Sequence, residues 1–236
     1  MKSMTLKFDE MPDEQFTDPE VFIIECLCQE DWKAGYRDGF NLYSQLLMSG
    51  RRPRYVQALS ENDLKAALAM FRQSKCRFLH FSFHGTSDSI ALGDGRCDYQ
   101  SFAAATKGFL NSRRVFISAC ECGNLLLIHE LYKTNHVIHS VLAHEDKVSF
   151  AKAESFWIPF YHALYERITS VCSDGRVTLR AFSERNMADL AGRLAMIVKA
   201  QFIIGFFDSK NNTIVCERLK RLRKEFKWVR LPLHPE

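Results

Sequence analysis

The 236-residue sequence contains no run of about 18 apolar residues, so no membrane-spanning helix is expected. Its opening, MKSMTLKFDEMPDE, lacks the apolar stretch of a secretory leader, so no export signal is expected either. A Gly-x-Gly-x-x-Gly turn and a phosphate-cradling P-loop are both missing, which leaves nucleotide binding without sequence support. The strand-like segments also lack paired carboxylates at glycosidase spacing. There is no internal repeat and no low-complexity tract. Net charge is small, a formal +4 at pH 7, too mild by itself to imply a nucleic-acid partner.

What is present describes a globular chain. Hydrophobic residues make up 47% and charged residues 25%, and 19 phenylalanines supply bulk for a large core. Eight cysteines, with no export signal, read as reduced thiols in a cytoplasmic protein, most of them small buried hydrophobes. Charge is unevenly placed. Residues 9–20 hold Asp9, Glu10, Asp13, Glu14, Asp18 and Glu20 without a base; residues 218–230 hold seven bases from Arg218 to Arg230. The first 20 residues therefore read as a solvated acidic lead-in, the alternative being a segment that covers the active site or is cleaved by it. The 218–230 stretch reads as a solvated helical face, with contact to nucleic acid or an acidic protein as the alternative.

Between these ends, apolar runs alternate with helical periodicity. Strands are expected over 21–28, 54–59, 76–83, 114–118, 137–142, 201–207 and 213–216, with a short extended piece at 89–95. Helical spacing is expected over 36–49, from Ser60 through Phe71, near 99–110, over 123–133, 149–168 and 183–199. Ser60 followed by Asp63 marks one helix start, and Gly50 stands at one stop. Such alternation predicts an α/β sandwich with a mainly parallel sheet.

The chemistry gathers where the third and fourth of these strands end. Phe81 to Gly85 reads FSFHG, and Val115 to Gly123 reads VFISACECG. In an open parallel sheet, ligands bind beyond the carboxyl ends of the strands, so His84 and Cys120 are expected at one edge. A cysteine attacks carbonyls as the thiolate, favoured by a nearby imidazolium and by a helix expected to start near Gly123. The amides of Gly85 and Cys120 would then receive the oxyanion.

A hydrophobic strand ending in His-Gly, then one ending in Ser-Ala-Cys-Glu-x-Gly, resembles the CHAT branch of the caspase-like cysteine peptidases. The likeness runs over about residues 76–166. It takes in Ile90 to Gly95, the strand Ile138 to Leu142, and the helix carrying Phe156, Phe160, Tyr161, Ala163 and Leu164. The resemblance implies a caspase-like α/β/α sandwich over residues 21–236, with 170–236 of undefined role. It implies a cysteine endopeptidase with Cys120 as nucleophile, His84 as acid/base and an oxyanion hole at the Gly85 and Cys120 amides. It implies a dyad with no third catalytic residue, no metal or other cofactor, a protein substrate, and control by a sensor protein in a bacterial defence or cell-death setting. Two departures stand out. The histidine precedes the cysteine by 36 positions (84 to 120), whereas caspases place it about 50 upstream. Ala119 occupies the place where basic-specific relatives carry an acid, so an acid for the S1 pocket is sought on the loop after the fifth strand, at Glu145 and Asp146.

Competing readings apply to other residues. Cys120-x-Cys122 with His80 or His84 lacks the spacing of a zinc knuckle. Cys26 and Cys28, two apart on a strand, share a face and suit burial. His136, His139 and His144 suit surface or loop positions, His144 also standing near the S1 loop. Ser118 reads as structural. A catalytically silent caspase-like binding or scaffold subunit, or a cysteine hydrolase of non-peptide substrates, is the alternative to the peptidase.

Overall fold

The computed structural model describes residues 17–93, 95–135, 137–171, 177–179, 182–208, 210–219 and 228–232. Eight strands form the central sheet: β1 (Asp18–Cys26), β2 (Arg54–Gln57), β3 (Cys76–Phe83), β6 (Arg114–Ser118), β7 (Ser140–His144), β10 (Phe202–Asp208), β11 (Thr213–Leu219) and β12 (Trp228–Pro232). Their spatial order is β12-β11-β10-β7-β6-β3-β1-β2. The pairs from β2 through β7 are all parallel, and β10, β11 and β12 add on antiparallel. Two small hairpins stand apart, β4 (Ser89–Leu92) with β5 (Gly95–Asp98), and β8 (Thr169–Val171) with β9 (Val177–Leu179).

Helices cover both faces, which is why the central strands read as continuous apolar runs. On one side lie α3 (Glu61–Ser74), α4 (Tyr99–Ala105) and α5 (Leu125–Thr134). On the other lie α2 (Asp38–Met48), α6 (Phe150–Ile168) and α7 (Glu184–Val198). β3 is buried at every position, alternating Leu79, Phe81 and Phe83 toward the first layer with Phe78 and His80 toward the second. Phe116, Phe156, Trp157, Phe160 and Phe202 interlock beneath α6, with Phe116 and Phe160 edge to face at 5.2 Å. Burying aromatics on this scale is the main force holding α6 on the sheet.

Expected boundaries shift where a local tie overrides periodicity. The fifth strand is expected at 137–142 but β7 occupies 140–144, because Val137 and His139 are still bound to the 112–113 turn through Ser112 N–H and the Arg113 carbonyl. The helix expected near Gly123 begins at Leu125, capped by the Asn124 side chain, which accepts from Leu127 N–H at 3.0 Å. Of the 218–230 stretch expected as a solvated helical face, the described ends, Arg218 and 228–230, lie in β11 and β12, while 220–227 fall outside the described residues. The acidic lead-in also lies outside them up to residue 16, and its end, Asp18 to Glu20, belongs to β1. A five-residue helix, α1 (Gln29–Lys33), follows β1 where no element was expected.

Candidate functional site

The two catalytic candidates leave neighbouring strands at the same edge. β3 and β6 pair in parallel with Ser82 opposite Ser118, and each chain runs two residues further, to His84 and to Cys120. Contact between the segments is close enough to require glycine. A Cβ on Gly85 would come within 2.7 Å of the Cys120 carbonyl oxygen and would collide with the Cys122 sulfur. Gly85 also bridges Ile90, but the bridge is closed by Thr86 N–H on the Ser89 carbonyl and by Ala91 N–H on the His84 carbonyl. The Gly85 N–H takes no part in that ladder, as an oxyanion donor requires.

His84 is half-buried, and its ring is gripped on one edge and one face. Nε2 lies 2.8 Å from Asp31 Oδ2, with the Phe150 ring edge-on at 5.5 Å and Phe150 in turn stacked on Tyr36 at 4.8 Å. Asp31 itself is held by Cys28, the N-cap of α1: the Cys28 thiol donates to Oδ2 at 2.9 Å and its backbone N–H at 3.3 Å. Cys28 has left the strand, so its side chain does not share the burial of Cys26. Burial works against the Asp31 charge, but the hydrogen bonds from Cys28 and His84 prevail and hold the carboxyl below its ordinary range. The Asp31 carboxylate pushes the Cys28 thiol up. Sequence reading missed Asp31. The available clue was Cys28-x-x-Asp31 directly after a strand, a capping-box spacing with cysteine in the serine position.

Cys120 is part-buried, whereas Cys122 is sealed in the core and burial pushes its thiol up to about 12. Of the two, only Cys120 presents a usable sulfur. The chain turns sharply after it, with Glu121 at φ 57° and its N–H on the Asp146 carbonyl at 3.2 Å. Gly123 N–H bonds the His144 carbonyl, and a Cβ there would lie 2.5 Å from that same group. These ties lay the 145–149 segment across Cys120. The Cys120 thiol donates to the Val148 carbonyl at 3.2 Å, and Val148 N–H points back at the sulfur at 3.4 Å. Among the described residues no hydrogen bond joins His84 to Cys120, and α5 begins five positions after Cys120 rather than beside it.

One layer below, a buried acid ties the two strands together. Asp38, the first residue of α2, accepts from the hydroxyl of Ser82 and from that of Ser118 at 2.8 Å. Glu25 on β1 accepts from Gly39 N–H at 2.7 Å and from Tyr55 at 2.7 Å. Burial pushes Glu25 up to about 7 and raises Asp38 as well. Ser118 thus has the structural role expected of it.

The two S1 candidates face basic side chains. Glu145 meets Arg218 Nε at 2.6 Å; Asp146 meets Lys152 Nζ at 3.7 Å and takes Gln201 N–H at 3.3 Å. His144 is not at the surface: it is fully buried against Phe156, Trp157 and Phe202, and burial lowers it to about 3. His139 pairs with Glu184 at 2.9 Å, and His136 falls outside the described residues. On the far side of His84 a groove of about 300 Å³ runs along the β4–β5 hairpin, lined by Gly85, Ile90, Gly93 and Arg96. Among the described residues no three metal-ligating side chains converge, and no helix is long and apolar enough to cross a membrane.

Neither a protein-family model nor a curated protein matches this sequence. Among solved structures, the chain is similar to a secreted C11 cysteine protease from Bacteroides thetaiotaomicron, called iotapain. The TM-score is 0.52 at 6% sequence identity, over 80% of this chain and 66% of the protease. At that identity the likeness is one of fold: a mainly parallel sheet between helical layers, arranged as in a caspase-like protease. The chain spans just under two thirds of that protease's length.

Proposed function

We propose that this chain is a cysteine endopeptidase of the caspase-like class, CHAT type, with Cys120 as nucleophile and His84 as acid/base. The observation that carries the reading is the register of β3 and β6, which sends a histidine and a cysteine, both part-buried, out from adjacent strand ends. The shared fold with a cysteine protease supports it. In the reaction, the Cys120 sulfur, its proton taken by His84, attacks the scissile carbonyl carbon. The Gly85 and Cys120 amides hold the resulting oxyanion. His84 returns the proton to the leaving amine, an acyl-enzyme remains, and His84 then activates the water that hydrolyses the thioester. The Val148 contact blocks the sulfur at rest, so the 145–149 segment shifts before substrate enters.

Glu145 and Asp146 line the pocket for the residue before the scissile bond in this reading. A basic side chain there competes with Arg218 and Lys152 for the two carboxylates. A peptide library decides the matter: absence of any lysine or arginine preference removes the assignment. The setting is a cytoplasmic effector acting on a protein substrate under the control of a sensor protein.

The deciding experiment is labelling with a thiol-directed peptide electrophile. Wild type is expected to be labelled at Cys120, and Cys120→Ala and His84→Ala to abolish both labelling and cleavage. The blocked sulfur favours one other reading, a silent caspase-like scaffold. Failure of wild type to react at Cys120 establishes it. Unchanged turnover in His84→Ala overturns the dyad.

A further inference from the structure

One oxygen, Oδ2 of Asp31, is the focus of three donors: His84 Nε2 at 2.8 Å, the Cys28 thiol at 2.9 Å and Cys28 N–H at 3.3 Å. An ionised carboxylate only accepts hydrogen bonds. The nitrogen facing it must therefore carry a proton, and in the neutral ring the lone pair is left on Nδ1. Asp31 does not find His84 by chance rotation, since Cys28 at the helix cap pins the carboxylate before the imidazole meets it. Phe150, backed by Tyr36, closes the ring's other degree of freedom, its tilt.

We propose that Asp31 is a positioning residue for His84: it fixes the Nε2–H tautomer, aims Nδ1 at the cleft and balances the imidazolium formed when Nδ1 takes the Cys120 proton. The proton budget closes on this chain alone. It passes from Sγ to Nδ1 and from Nδ1 to the departing amine, while the Nε2 proton stays shared with Asp31 throughout. This adds to the dyad an orienting acid drawn from α1, in the role an aspartate has in other nucleophile–histidine systems. The catalytic part of the inference rests on the peptidase reading; the tautomer does not.

The test uses the full-length protein labelled with ¹⁵N-histidine, with the His84 ring resonances assigned by their loss in His84→Ala. At alkaline pH, wild type is expected to show His84 as Nε2–H. Asp31→Asn offers an amide donor to that edge and is expected to shift the ring toward Nδ1–H, and Asp31→Glu to keep Nε2–H. With a cleaved peptide, Asp31→Asn is expected to lose about 100-fold in kcat with KM within about threefold, and Asp31→Glu to recover part of the loss. A wild-type ring protonated on Nδ1, or Asp31→Asn with kcat unchanged, overturns the proposal. If wild type neither cleaves nor labels at Cys120, the peptidase reading fails, and the wild-type tautomer alone still decides whether Asp31 sets the ring.

Discussion

Gly85 carries more of the site than its size suggests. Added bulk there meets the Cys120 main chain and the Cys122 sulfur rather than a yielding side-chain tip. Gly85→Ala is expected to cost about 2 kcal/mol in denaturant unfolding and to slow electrophile labelling of Cys120 more than tenfold. Cys122→Ala is expected to behave differently. It leaves a small void and loses about 1 kcal/mol, with Cys120 labelling kept, since the buried thiol is not the reactive one. His144 is a second informative residue. Both ring nitrogens are buried with no hydrogen-bond partner among the described residues. His144→Leu, similar in volume, is expected to raise stability by about 1 kcal/mol.

At the scale of elements, Asp38 joins α2 to β3 and β6 two residues before His84 and Cys120. Asp38→Ala strands the buried Ser118 hydroxyl and leaves Ser82 only its 3.4 Å bond to Glu25, and is expected to cost about 2 kcal/mol by chemical unfolding, with the His84 and Cys120 strand ends loosened together. Much of this architecture was legible in the sequence. β3 and β6 fell where apolar runs put them, and α3 began at Ser60 as its Asp63 spacing implied, the hydroxyl accepting from Asp63 N–H at 3.2 Å. The site was legible as two strand ends because the positions after an apolar run are set by local pattern. What escaped was long-range or unpatterned. Asp31 and His84 lie 53 positions apart, and α1 is a charged five-residue turn held by its cap rather than by a hydrophobic face. β12 was hidden because a five-residue strand at the sheet edge needs little apolar periodicity, and the run of bases that precedes it in the sequence reads as a solvated helix.

Across the whole molecule, buried titrating groups oppose one another. Burial raises Glu25 from 4.5 to about 7, and raises Asp38, Glu20 and Glu217 in the same direction. For these acids the neutral form is favoured on folding, so their stabilising effect is full at low pH and is lost as pH climbs through their folded-state values. His80 and His144 run the other way. Burial lowers each from 6.5 to about 3, so their effect is full above 6.5 and is lost as pH falls toward 3. The melting temperature is therefore expected to climb with pH from about 3, less steeply above 4.5 where the acids oppose the histidines, and to fall between 6.5 and about 7 where only the acids still titrate. Differential scanning fluorimetry from acid to mildly alkaline pH reads this directly. Glu25→Gln is expected to flatten the alkaline fall and His144→Leu the acid one.

The stopper over the Cys120 sulfur is main chain, the carbonyl and the N–H of Val148. Exchanging the amino acid at that place leaves the stopper in position, so its presence is invisible to any comparison of residue identities. A change in the length or path of the chain between His144 and Phe150 is expected to move that main chain off the Cys120 sulfur more surely than a side-chain exchange at Val148.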